Sequence, residues 1–319
     1  MNKKQICSFG VCVALVIGVL ACSDEGEKPG CDTFSPADSV CFCTKYPEDV
    51  ACVEEPTTFS IELHTDEVVA LTPHSANGTI WCKGFSIGSS IYVIDRQSES
   101  PHPFWKFDIE GSGSWQALAD FPGTRYGLTG SADGKGYASS YASNKFWQYD
   151  PASNEWTPLD DLPFSPGETH WVEYKGKYYV PNHTGIYEFN PTNKEWTKYS
   201  EQTLSGFGAL FLLGDDMYWW NVNDDQMKRF NFVTKALEVH DLPDGFNKSV
   251  TFNNPFVLDN TAYLVDFKTL WIFDSETKTW SGNDEIITSG SSYVDDVFVL
   301  GGKAYIIDDG RVRVFGTVE

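Results

Sequence analysis

From about residue 57 to the end of the chain, apolar and polar residues alternate in short runs, and turn-forming residues interrupt the runs at regular intervals. A period of two predicts strands, and runs this short are better matched to strands than to core helices. Aromatic columns define the repeat. Tyrosine recurs after a turn at Tyr92, Tyr137, Tyr179, Tyr218, Tyr263 and Tyr305, at spacings of 39 to 45 residues. A second aromatic follows each, at Phe107, Tyr149, Phe189, Phe230, Phe273 and Phe315, and most of these precede Asp or Asn. A third column, seven or eight residues further on, holds Trp115, Trp156, Trp196, Leu237 and Trp280.

Each unit therefore reads as an apolar strand, a tight turn, a tyrosine-bearing strand, a loop, a strand ending in an aromatic, a turn and a tryptophan-bearing strand. Asp133-Gly134-Lys135, Lys175-Gly176-Lys177 and Gly301-Gly302-Lys303 carry the turn chemistry of hairpins. A four-stranded meander has two apolar faces and cannot bury both alone; packing like units face to face around an axis buries them all. The expected fold is all-β, a six-bladed β-propeller. The sixth unit runs out of chain at Glu319 before a fourth strand can form. The orphan strand-like segment Thr57–Leu63 is expected to close that last blade as its outer strand, with Phe59 in the tryptophan column.

The segments FWQYDPASNEWTPLDDLP (146–163), YEFNPTNKEWTKY (187–199), IFDSETKTWSG (272–282) and GFSIGSSIYVI (84–94) resemble the Kelch repeats of bacterial, galactose-oxidase-like propeller lipoproteins. The resemblance spans residues 57–319 and implies a Kelch-type propeller; one such fold hosts many activities. The Kelch double glycine is clear only at Gly301-Gly302, and unit four carries Leu237 in place of Trp. WD40 repeats share the period, but the chain contains no Trp-Asp dipeptide.

Charge and the N-terminus narrow the setting. A net charge of -22 gives no basic footprint for nucleic acid or for anionic membrane surfaces, so both are excluded as partners. Residues 1–21 hold two lysines and then an uncharged apolar run, Ile6–Leu20, too short to span a bilayer; they read as a signal peptide. Val19-Leu20-Ala21-Cys22 resembles a bacterial lipobox, which implies lipidation of Cys22 and contact with the membrane through that anchor only. The acidic stretch after Cys22 is similar to the surface-export signal of Bacteroidetes lipoproteins, which implies the outer membrane and the cell surface. Residues 22–56 then form a flexible tether and a cysteine-rich segment. Cys31, Cys41, Cys43 and Cys52 are expected to form disulfides in an oxidising compartment; as zinc ligands they lack CxxC knuckles and accompanying histidines. Cys82 lies in a strand-like run and reads as a buried free thiol.

No catalytic signature stands out. HExxH, GxSxG, Walker and Rossmann patterns are absent, and the chain lacks the Tyr, His and Cys arrangement that a copper oxidase of galactose-oxidase type needs. The pairs Asp215-Asp216, Asp295-Asp296 and Asp308-Asp309 sit in no calcium-loop pattern and read as turn-forming acids. No metal or cofactor is expected. In such a propeller the loops between second and third strands share one face with the blade-to-blade connections, and loops on a rigid scaffold gather binding residues. Arg125, Tyr126, His170, Asn182, His183, Trp220, Asn221 and Asp224 are the candidate ligand-binding residues on that face. Trp219 reads as core, and Trp220, on the opposite side of its strand, as a ligand contact. Aromatic faces beside Asn, Asp and Arg suit sugars. The expected role is a non-enzymatic, surface-anchored module that binds a glycan or a cell-surface protein. The alternative is an enzyme resembling the six-bladed Kelch sugar mutarotases, with Arg125 binding a carboxylate and Glu168 or His170 moving protons.

Overall fold

The computed structural model describes residues 59–64, 82–96, 102–111, 113–141, 143–203, 208–221, 225–244, 246, 255–266, 269–283, 287–288, 294–308 and 310–317. The expected signal peptide, Cys22 and the four clustered cysteines lie outside these residues, as does Asp224. The described part is a six-bladed β-propeller. Blade I runs Cys82–Ile87, Ser90–Asp95, Phe104–Asp108 and Trp115–Ala117 from channel to rim. Blades II to V repeat the order from inner strands Tyr126–Ala132, Val172–Tyr174, Gly208–Leu213 and Phe256–Leu258. Blade VI has Asp296–Leu300, Lys303–Asp308 and Arg311–Thr317, with Phe59–Leu63 as its outer strand. The inner strand of blade I contacts those of both blade II and blade VI, which closes the ring.

Local chemistry explains why every unit folds alike. At the inner hairpins Asp133-Gly134, Lys175-Gly176, Asp259-Asn260 and Gly301-Gly302 all have positive φ at both central residues, the turn whose twist matches paired strands. The Asp or Asn after the second aromatic has a defined task. Asp150, Asn190, Asn231 and Asp274 each use Oδ1 to accept backbone N–H groups two or three residues ahead, which shapes the outer turn. The aromatic columns meet across strands, as Phe107 with Trp115, Tyr149 with Trp156, Phe189 with Trp196, Phe230 with Leu237 and Phe273 with Trp280.

Blade VI closes with one shift of register from expectation. Phe315 stands opposite Ile61, not Phe59, so Ile61 occupies the position that tryptophan holds in most other blades. Ile61 is 4% exposed and sits in a cluster with Phe256, Leu270, Ile306 and Phe315. Two strands extend sheets beyond four. Ile287–Thr288 pairs parallel to Phe59–Leu63, and Thr169–His170 pairs parallel to the inner strand of blade II before the chain enters blade III.

Candidate functional site

The inner strands begin at one end of the channel, and the charged groups collect there. Lys83 and Asp296, each near the start of its strand, are both buried, with Lys83 Nζ 3.5 Å from Asp296 Oδ1. The Gly84 N–H donates to Asp296 Oδ2 at 2.9 Å. A side chain at Gly84 is excluded, since a Cβ there would lie 1.7 Å from the Tyr92 carbonyl oxygen. His170 reaches Asp296 from the blade II side, Nε2 to Oδ1 at 3.1 Å, and its Nδ1 lies 3.1 Å from the Thr129 hydroxyl. A carboxylate only accepts, so Nε2 carries the proton; in the neutral ring Nδ1 then accepts from Thr129. The result is a hydrogen-bonded strut between blades that are not neighbours. Burial opposes ionisation of Asp296, but Lys83, His170 and the Gly84 N–H outweigh it and hold the carboxyl below the usual range.

A second group lies beside it. Arg96 Nη2 is 2.8 Å from Glu168 Oε1, and Arg125 Nη2 bonds the same oxygen. Arg125 stacks over Tyr141, 4.5 Å from the ring centroid, is one-third exposed at 33%, and has a buried Nε with no hydrogen-bond partner. Its φ of 102° is a conformation L residues rarely adopt, and it is held there by Tyr141 N–H to its own carbonyl at 2.7 Å and by Thr124 N–H to Ser140 Oγ at 2.9 Å. Backbone strain of this kind collects at functional sites. Deeper along the strands is a cavity of about 240 Å³ lined by Ser86, Thr129, Ser131, His170 and Trp171 with Phe85 and Phe256. His170 is the one ionisable side chain among its lining residues.

Of the expected ligand contacts, Arg125 and His170 converge at this end of the channel, with Glu168 between them in sequence. Asn182, His183 and Trp220 line a different pocket, between blades III and IV. Asn221 ends a strand of blade IV. Tyr126 and Trp220 are both buried. Tyr126 packs among Phe85, Phe104 and Tyr149, and burial followed by the Glu168 charge pushes its phenol well above its ordinary value. Trp220 is 2% exposed against Phe246 and Trp280, while Trp219 packs with Val172 and Tyr179. Alternation along a strand separates solvent from core only when one face is wet. A blade is sandwiched between two others, so both faces of this strand are core, and neither indole stands free as a stacking platform. Asp295 and Asp296 likewise are buried, not turn acids. Cys82 is a buried free cysteine; burial, then Asp295 and Asp296, raises its pKa and keeps it a thiol. The participation of Lys83 and Thr129 had no sequence signal beyond their residue types.

No protein-family model matches the chain, and no curated protein matches it. Among solved structures it is similar to that of YjhT, at 15% identity and a TM-score of 0.58, over 79% of this chain and 96% of that one. At that identity the likeness is one of fold.

Proposed function

We propose that the chain is a Kelch-type, lipid-anchored lipoprotein of the outer membrane, facing the cell surface, whose propeller binds a glycan in its channel without catalysis. The observation that carries this reading is the cavity of about 240 Å³, lined by the polar Ser86, Thr129 and Ser131 together with the rings of His170, Trp171 and Phe256. Aromatic walls with few converging polar groups are the chemistry of a small-ligand site, and a hydroxyl-rich ring satisfies both. Arg125, one-third exposed and not among the cavity's lining residues, is proposed as the contact for an acidic substituent that extends beyond the cavity.

Catalysis has less support, because the groups that would move protons are already engaged. Both nitrogens of His170 are hydrogen-bonded, and Glu168 Oε1 serves two guanidiniums. Docking of a partner protein has less support too, since the large hydrophobics exposed among the described residues are the valines 233, 239 and 299. A glycan array probed with the full chain, beside Ser131→Phe to fill the cavity and Arg125→Ala, tests the reading. Saturable binding abolished by Ser131→Phe, with acidic glycans weakened at least about tenfold by Arg125→Ala, is the expected result. Failure of the folded wild-type chain to bind any glycan overturns it.

A further inference from the structure

A second cavity, of about 120 Å³, lies between blades III and IV and is adjacent to the first, Leu210 lining both. Its walls are largely apolar, with Phe164, Ala209, Trp219 and Trp220 among them. The polar residue most firmly set in it is already satisfied. Asn182 donates through Nδ2 to the Ser165 carbonyl at 3.0 Å and accepts at Oδ1 from the Thr184 N–H and hydroxyl, both at 3.2 Å. Trp219 is different. It is 6% exposed, and its indole Nε1 is buried with no hydrogen-bond partner. Other indoles are also unpartnered, those of Trp105, Trp196, Trp271 and Trp280, but among the described residues Trp219 is the one of this set that lines either cavity.

A buried donor left without an acceptor carries a desolvation penalty that a ligand acceptor can relieve. An apolar wall penalises any further polar group the ligand brings with it. We propose that this pocket is a binding site for a small apolar group bearing a single hydrogen-bond acceptor, the carbonyl of a ketone, ester or disubstituted amide, with the Trp219 indole N–H as its donor. A polyhydroxyl ring does not suit it, so the site selects a different chemistry from that proposed for the channel and stands whether or not the channel binds a glycan. The size is right for such a group, since cavities near this volume take up single small rings.

The test is a titration of the full chain, with its tryptophan indoles labelled with ¹⁵N, by cyclopentanone and separately by cyclopentane, which has the same shape without the acceptor. The Trp219 resonance is identified by its loss in Trp219→Phe. The expected result is a saturable downfield shift of that one indole proton with the ketone, and about tenfold tighter binding of ketone than of hydrocarbon, or about 1.4 kcal/mol. Ala209→Leu, which fills the pocket from another wall, should abolish the shift and keeps the test intact if Trp219→Phe does not fold. The proposal is overturned by the absence of a saturable shift, by equal affinity for the two rings, or by a ketone response that survives Ala209→Leu.

Discussion

Closure of the ring through Ile61 yields the sharpest prediction about stability. Ile61 is enclosed by Phe256, Val265, Leu270, Ala304, Ile306 and Phe315, so Ile61→Ala removes three carbons from an entirely apolar site. Buried Ile→Ala changes cost about 2–5 kcal/mol, the higher values where the surroundings cannot collapse into the gap. Collapse is resisted here because the strand is hydrogen-bonded on both sides, to Arg311–Thr317 and to Ile287–Thr288. We therefore place the loss at about 3–4 kcal/mol, or roughly 6–16 °C in melting temperature for a domain of this size. Urea unfolding followed by tryptophan fluorescence is the assay, with Val239→Ala as the matched control. Val239 also lies on an outer strand, in blade IV, but is 49% exposed, and its truncation should stay within about 0.5 kcal/mol. The closure argument is refuted if the two variants unfold at the same urea midpoint, or if Ile61→Ala loses less than about 1 kcal/mol with unchanged m-value.

Three further outcomes follow from the buried charges. Asp296→Ala leaves Lys83 buried without its counter-charge and should lower urea stability by about 3–5 kcal/mol. Because the folded pKa of Asp296 is depressed, its contribution is complete above the ordinary carboxylate value of about 3.9 and is lost as pH falls from there through the folded value. Stability between about pH 4 and pH 2 should consequently fall less steeply in Asp296→Asn than in the wild type; equal slopes would show that the carboxylate is not stabilised by its partners. Cys82, buried and protonated, should remain unalkylated by iodoacetamide in the native chain and react once urea unfolds it, as read by mass spectrometry of its peptide. Prompt native labelling would place that thiol at the surface.

The repeat was legible because it is local. Strand, turn and aromatic column recur within about 40 residues, and Asp150 or Asn231 acts on backbone groups only two or three positions away. The position of the closing strand was legible from what the sixth blade lacks, whereas its register was not. Phe59 and Ile61 lie two positions apart, so alternation alone does not say which of them pairs with Phe315. The burial of Trp220 and Tyr126 was not legible for a different reason: periodicity reports that a strand has two faces, and only the neighbouring blades determine that both are covered. The strut could not be read at all. Asp296 and His170 stand 126 residues apart, and nothing in Ser-Tyr-Val-Asp-Asp or Glu-Thr-His-Trp announces that ring closure will bring them to 3.1 Å.

The glycan reading stands or falls on where a saccharide lands. The most direct measurement uses the full chain with its histidines labelled with ¹⁵N, the saccharide that binds best on the array, and the His170 signals identified by their absence in His170→Gln. The account predicts that the His170 ring resonances shift saturably with the same Kd as the bulk binding signal, because its imidazole lines the channel cavity. Saturable binding that leaves His170 unmoved while the exposed His183 responds would place the ligand outside the channel and contradict the account.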